Sequence, residues 1–162
     1  MNITVNDVIL CQAKWGNAIK EISLTYLNKG DYIYIAHRAI SELYAYDHAN
    51  VLFKPTKAFD NPFRFTYEGA LSYFVGGNVV EGGHEEDSGF AINGGMGWSD
   101  VKFVNHQIDI TDNVAIAMGA YMFTCATSKR TVNVEYTFGY KRNKDGNIRI
   151  FLHHSSLPYC KE

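Results

Sequence analysis

The C-terminal part of the chain, from Trp98 onwards, contains four successive strand patterns. Residues 101–110 and 114–126 are separated by a Thr-Asp-Asn turn, and residues 132–140 alternate strictly between apolar and polar side chains. The sequence Asn-Lys-Asp-Gly at 143–146 then predicts a hairpin turn into residues 148–156. Because consecutive strands joined by short turns pair with each other, this region predicts an antiparallel meander.

The N-terminal half has the period of helices instead. Asn6 can cap a first helix that ends at Gly30, and Asp31 can cap a second helix that fades at Asp47. After Pro62, residues 66–74 predict a third, shorter helix. The first helix carries an apolar stripe at steps of three and four residues, made of Val8, Cys11, Trp15, Ile19, Ile22 and Tyr26. Helices first and a meander last predict a segregated α+β fold.

Length and composition indicate one domain over residues 1–162, with an ordinary apolar fraction of 46% and a high aromatic fraction of 14%. A net charge of -2 with scattered basic residues argues against a nucleic-acid partner. We find no apolar run of membrane-spanning length, no cationic leader and no paired cysteine spacing, so we expect a cytoplasmic protein without a membrane partner. Residues 76–97 are rich in glycine and predict a long irregular excursion.

The last strand contains the most informative polar group of the sequence, His-His-Ser-Ser at 153–156. Side chains alternate between the two faces of a strand, so His154 and Ser156 should share the face of Ile150 and Leu152. If that apolar face lines the interior, His154 and Ser156 point into a pocket, where they could bind an anion and move a proton. The alternative is a strand end that is simply wetted by solvent.

Other chemistries have weaker support. No Gly-x-Ser-x-Gly elbow accompanies the serines, which disfavours acyl transfer. The acidic stretch 84–87 begins with His84 but lacks the spacing of a zinc site, and we predict no metal ligand. Asp47 and His48 could form an acid–base pair, although a helix cap and surface turn fit their position better.

Three segments together resemble the iota-class carbonic anhydrases: Leu-Phe-Lys-Pro-Thr at 52–56, Ala-Leu-Ser-Tyr-Phe-Val-Gly at 70–76, and His-His-Ser-Ser-Leu-Pro at 153–158. The resemblance extends along nearly the whole chain. It implies a cystatin-like or nuclear-transport-factor-like (NTF2-like) α+β cone, in which the N-terminal helices pack in the concave face of a curved antiparallel sheet. The same cone is similar to the calcium/calmodulin-dependent kinase association domain, which does not share the His-His-Ser-Ser segment.

The resemblance further implies reversible hydration of CO2 to bicarbonate, with no cofactor and without a metal. Carried over by motif, the catalytic candidates are Thr56, Tyr73, His154 and Ser156, with His153 and Ser155 as substrate-binding candidates. Which member of each doublet faces the pocket is open, and strand alternation favours His154 and Ser156. Hydroxyls would hold the water and the CO2 oxygens, and a histidine would accept the proton directly or through a hydroxyl.

Two alternatives compete with the enzyme. A non-enzymatic oligomeric hub or small-molecule binding protein would have an apolar or blocked cavity, and an isomerase or dehydratase would need an Asp–His pair inside the pocket. The strand at 114–126 is small or apolar on both faces, which indicates that helices cover one face and a second subunit the other. We therefore expect a homodimer.

Overall fold

A computed structural model describes residues 2–162 of the chain. The helices are α1 (Val5–Leu27), α2 (Tyr32–Leu43) and α3 (Tyr67–Val75), with two short 3-10 segments at Gly77–Val79 and Phe90–Gly95. The strands are β1 (Leu52–Lys54), β2 (Trp98–Thr111), β3 (Val114–Cys125), β4 (Thr131–Arg142) and β5 (Ile148–Ser156). The predicted α+β order of helices before a meander is confirmed.

The first helix begins earlier than its sequence pattern suggests. Thr4, and not Asn6, is the N-cap, because the Thr4 hydroxyl accepts from the Asp7 N–H while the Asp7 carboxylate accepts from the Thr4 N–H. This reciprocal capping box satisfies two of the free N–H groups at the helix start. The second helix begins after Asp31 as predicted, with the Asp31 carboxylate accepting from the Tyr34 N–H.

The five strands form one sheet in the order β1-β5-β4-β3-β2. Strands β2 to β5 pair antiparallel, as predicted, whereas β1 lies parallel to β5 and makes the sheet mixed. The parallel pairing is possible because β1 is connected to β5 through α3 and three strands rather than by a tight turn. It places Phe53 directly beside His153.

Helix α1 covers the inner face of the sheet through Trp15, whose side chain is buried. The indole meets six other rings with centroid distances between 5.6 and 6.4 Å, namely those of Phe74, Phe103, Tyr121, Phe123, Phe138 and His153. Aromatic pairs at such distances favour edge-to-face contacts, which makes the interior a continuous aromatic core. Over residues 2–162, no helix is both long and apolar enough to cross a membrane.

Candidate active site

Strand β5 contains an irregularity that decides which of its side chains face inward. In its pairing with β4, Gly139 lies opposite Leu152 but Tyr140 lies opposite Ile150, so Phe151 has no partner. Gly139 leaves the space for this bulge, since a Cβ there would lie 2.8 Å from the Phe151 ring and the Leu152 Cβ. Because Phe151 is unpaired, every side chain of β5 after it points to the opposite face of the sheet from the one that regular alternation predicts.

The predicted orientation of the His-His-Ser-Ser segment is therefore wrong. His153 and Ser155 are buried, with exposed fractions of 3% and 2%, whereas His154 is exposed and Ser156 is half-buried on the opposite face. Strict period-two counting from Ile150 fails because the bulge at Phe151 lies between them. His153 and Ser155, which the sequence indicated only as substrate-binding candidates, are therefore the pair that faces the interior.

The His153 imidazole lies between two phenylalanine rings that belong to the strands on either side of β5. Phe138 stacks on it at 4.0 Å between centroids and Phe53 at 4.6 Å. This burial lowers the pKa of His153 well below its usual value, and the neighbouring His154 adds to the effect. His153 is consequently neutral at pH 7.

The buried histidine belongs to a connected network of hydroxyls. Its Nε2 lies 2.9 Å from the Ser155 Oγ and 3.1 Å from the Tyr121 Oη, and those two hydroxyls are hydrogen-bonded to each other. Thr56 and Tyr73 line the same cavity as Tyr121 and His153. The network thus joins β5 to β3, and the turn after β1 and α3 add the Thr56 and Tyr73 hydroxyls to the same cavity.

Tyr73 is the hydroxyl residue that α3 supplies to the cavity. The helix is capped at its start by the Thr66 hydroxyl, which accepts from the Gly69 N–H, and it ends at Gly76, whose φ of 110° favours glycine. The Tyr73 ring stacks on Phe90 at 5.4 Å, and its hydroxyl accepts from the Lys57 N–H at 3.3 Å. Helix α3 and the turn after β1 therefore close the same end of the pocket.

The space between these groups is small and mostly aromatic. Its empty volume is about 170 Å³, and it is so narrow that an entering water or CO2 requires small side-chain movements. Its lining residues are Trp15, Phe53, Pro55, Thr56, Tyr73, Phe74, Phe90, Tyr121 and His153. An apolar wall with polar groups at one end suits a small non-polar molecule that becomes an anion.

Burial raises the pKa of both Tyr73 and Tyr121 above the ordinary tyrosine value. Their hydroxyls are therefore protonated at neutral pH and available as hydrogen-bond donors. Because His153 is neutral as well, none of these network side chains carries a full charge at pH 7. The site can therefore donate hydrogen bonds to a negative charge that develops on the substrate, and no negatively charged side chain of the network opposes that charge.

A buried ion pair fixes the segments that carry Thr56 and Tyr73. The side chains of Arg64 and Asp87 are fully buried and form two hydrogen bonds of 2.6 and 2.8 Å. Ser72, next to Tyr73 in α3, donates to the same carboxylate at 2.6 Å. Because the charges are paired and further hydrogen-bonded, they tolerate burial and tie the irregular excursion to α3.

Glu86 holds the neighbouring turn. Burial acts to raise the pKa of Glu86, but the backbone N–H groups of Phe59, Asp60 and Asn61 donate to the carboxylate and bring the pKa to about 2. Glu86 and Asp87 thus accept hydrogen bonds from backbone and arginine donors. Within residues 2–162, no three His, Cys, Asp or Glu side chains come together in a group that could hold a metal ion.

Three residues of the network were not predicted from the sequence, namely Trp15, Tyr44 and Tyr121. The Tyr44 hydroxyl bridges Trp15 and His153. In the sequence, all three look like ordinary core or helix-stripe residues. Their spacing does not distinguish a core ring from a functional one. Asp47 and His48, in contrast, are exposed and lie outside the pocket, which removes the Asp–His pair required by the isomerase alternative.

The depressed pKa of His153 predicts acid destabilisation. When the chain unfolds, His153 regains a pKa near ~6.5 and binds a proton that the folded state does not bind. The free energy of unfolding should therefore fall as the pH drops below about 6.5, by up to about 1.4 kcal/mol per pH unit from this group. Urea unfolding at pH 7.5, 6 and 5 measures it. A His153→Gln variant should show a shallower dependence, and an equal dependence would refute the assignment.

Solved structures of similar shape define the fold. A putative dehydratase of the NTF2-like family from Streptomyces avermitilis aligns with a TM-score of 0.58 at 13% identity over 96% of each chain. An NTF2-like protein from Cytophaga hutchinsonii aligns with a TM-score of 0.54 at 16% identity, over 96% of this chain and all of the other. The predicted NTF2-like α+β fold is thereby confirmed.

The family follows from sequence. A sequence model of the metal-independent carbonic anhydrases matches residues 6–157. A metal-independent carbonic anhydrase from a Nostoc species is 40% identical over 160 residues, covering 97% of this chain and 75% of the relative. A cyanobacterial iota-carbonic anhydrase, crystallised in complex with bicarbonate, aligns with a TM-score of 0.90 at 37% identity over 99% of this chain and 95% of the other. The chain belongs to the metal-independent carbonic anhydrases, and the resemblance to the iota class is confirmed.

Proposed function

We propose that CO2 and bicarbonate bind in the interior pocket and that Thr56, Tyr73, His153 and Ser155, together with Tyr121, carry out the hydration. The observation that carries the proposal is the hydrogen-bonded cluster of His153, Ser155 and Tyr121 beside an aromatic cavity that Thr56 and Tyr73 also line. The cyanobacterial iota-carbonic anhydrase that this chain resembles was crystallised with bicarbonate bound, which supports the same ligand here. A polar interior of this kind also disfavours the non-enzymatic hub, which predicts an apolar or blocked cavity.

The two ends of the pocket suit the two sides of the reaction. The rings of Phe53, Phe74 and Phe90 offer the linear, non-polar CO2 a surface without charged groups. The hydroxyls of Thr56, Tyr73 and Ser155 can donate to its oxygens as negative charge develops on them. In a narrow cavity from which most water is excluded, such donors stabilise charge more strongly than they would in water.

The proton can move through the same hydroxyls. When the water oxygen attacks carbon, a water O–H bond breaks, and a neighbouring hydroxyl accepts that proton while it donates its own to a CO2 oxygen. Each hydroxyl gains one proton and loses one, so no side chain ends with a charge. The product of this step is carbonic acid, which gives bicarbonate by releasing one proton to the solvent. This relay replaces the lowered water pKa that a zinc ion would provide.

The location of the binding site can be tested without measuring activity. In a two-dimensional amide NMR titration of the 18.3 kDa chain with bicarbonate, we expect shifts at Lys57, whose N–H bonds to Tyr73, and at Ser155. The outer groove contains His106 and His154 and provides an internal control. Shifts confined to that groove would contradict the proposal, whereas shifts confined to the interior would support it.

The outer face of the sheet supports a homodimer, which is a separate part of the proposal. Strands β2 and β3 expose apolar side chains there, with exposed fractions of 53% for Val104, 40% for Ile116, 58% for Met118 and 41% for Met122. Several exposed apolar side chains on one face of a sheet are typical of a subunit interface.

Sedimentation equilibrium tests the dimer. We expect twice the chain mass of 18.3 kDa for the wild type and the single mass for Met118→Glu, because a charge in the centre of an apolar interface is poorly solvated. A monomeric wild type would contradict the proposal. Leu24→Glu on α1, also exposed but away from the sheet, is the matched control and should remain dimeric.

A cytoplasmic location is the last part of the proposal. Cys11, Cys125 and Cys160 are free thiols, which suits a reducing compartment. Fractionation of the native cell tests the location, and recovery of the protein outside the cytoplasm would contradict it.

A further inference from the structure

A buried chain of hydrogen bonds approaches His153 from the side opposite to the hydroxyl network. The Trp15 Nε1–H donates to the Tyr44 Oη at 3.0 Å, and the Tyr44 Oη lies 2.8 Å from the His153 Nδ1. The three residues have exposed fractions of only 2 to 3%. Their hydrogen bonds are therefore made among themselves and not with bulk water.

The fold explains why Tyr44 reaches this point. Tyr44 is the C-terminal cap residue of α2 and pairs in an isolated bridge with Ile150 of β5. The Ala45 N–H then donates to the Ile150 carbonyl, which docks the end of α2 on the strand that carries His153. Trp15 reaches the same place from the middle of α1.

The direction of each hydrogen bond follows from the chemistry of the groups. An indole N–H can only donate, so the Tyr44 oxygen is an acceptor toward Trp15. The single phenol proton of Tyr44 then needs an acceptor, and within the described residues His153 Nδ1 is the partner left to it. If Nδ1 carried the proton instead, the buried phenol O–H would have no acceptor. A neutral imidazole that accepts at Nδ1 carries its proton on Nε2.

We propose that Tyr44 and Trp15 are positioning residues that hold His153 in the Nε2–H tautomer. In this tautomer the ring donates toward the Ser155 and Tyr121 oxygens, which lie 2.9 and 3.1 Å from Nε2. His153 is then a donor that makes the hydroxyls of the pocket better donors in turn, rather than the proton acceptor expected from the sequence. The catalytic meaning of this arrangement rests on the proposed function, whereas the tautomer itself does not.

The ring tautomer is directly observable in protein labelled with 15N-histidine. In a long-range proton–nitrogen correlation spectrum at pH 7.5, we expect the wild-type His153 to show a protonated Nε2 and an unprotonated Nδ1. Tyr44→Phe removes the donor to Nδ1 and should shift His153 toward the Nδ1–H tautomer or an average of the two. Tyr46→Phe is the matched control: its ring stacks on Tyr44 at 6.0 Å, but its hydroxyl bonds to the Arg64 carbonyl. It should leave the His153 signals unchanged.

Activity provides the second readout. We expect Tyr44→Phe to lower kcat roughly 10- to 100-fold with little change in KM, of the order known for partners that orient metal-ligating histidines. A wild-type His153 protonated at Nδ1 would overturn the inference without any variant, and so would a Tyr44→Phe spectrum identical to the wild type. If the tautomer changes as expected but Ser155→Ala retains full activity, the inference stands and the proposed function fails.

Discussion

Ser155→Ala is expected to lower the CO2 hydration rate by about 10²- to 10³-fold, the range typical for loss of one donor to a developing oxyanion. The Ser155 hydroxyl is buried and bonds to both Tyr121 and His153, so alanine removes a link of the relay without changing the size of the core appreciably. Stopped-flow CO2 hydration with a pH indicator measures the effect. The double variant with Tyr73→Phe should lose still more activity.

Ser156→Ala is the matched control for this prediction. It changes the same residue type one position later in β5, on the outer face of the sheet, so we expect less than a twofold effect. The pair Ser155→Ala and Ser156→Ala therefore tests which face carries the chemistry. Loss of activity in Ser156→Ala with full activity in Ser155→Ala would refute the interior site. It would favour the orientation predicted by strict alternation, with His154 and Ser156 in the pocket.

Arg64→Met is expected to give the largest loss of stability, about 3 to 5 kcal/mol, because it leaves the buried Asp87 carboxylate without its cation. For a chain of this length, this corresponds to a fall in Tm of roughly 10 °C. Thermal unfolding followed by circular dichroism measures it. We expect activity at 25 °C to fall as well, since the same carboxylate holds Ser72 beside Tyr73.

Arg38→Met is the control for this effect. Arg38 also bonds to a carboxylate at 2.7 Å, that of Glu21, but the two side chains are 43% and 48% exposed. Exposed pairs contribute about 0 to 1 kcal/mol, so the variant should unfold close to the wild-type temperature. If Arg64→Met and Arg38→Met lowered the free energy of unfolding equally, burial of the Arg64–Asp87 pair would not be the cause of the loss.

Much of the fold could be predicted from the sequence because its elements carry local signals. The alternation at 132–140, the hairpin turn at 143–146 and the Asp31 cap each depend on neighbouring residues alone. The parallel pairing of β1 with β5 could not be predicted in the same way, since it joins segments about a hundred residues apart.

The site was harder to predict because its orientation depends on one inserted residue. The bulge at Phe151 inverts the faces of His153 and His154, and its one sequence signal is the glycine at 139 within an otherwise regular strand. Tyr44 and Tyr121 come from different elements and look like core aromatics until the fold brings them to His153. Motif resemblance, in contrast, pointed to Thr56 and Tyr73, and both lie at the pocket.

The central claim is that this chain hydrates CO2 through hydroxyl groups and one neutral histidine, with no metal ion taking part. The most direct measurement is stopped-flow CO2 hydration by chelator-treated protein, with the metal content of the same sample determined by mass spectrometry. We expect full activity at a metal content far below one ion per chain, unchanged by added zinc. Activity that disappears with the metal and returns in proportion to added divalent ion would contradict the account.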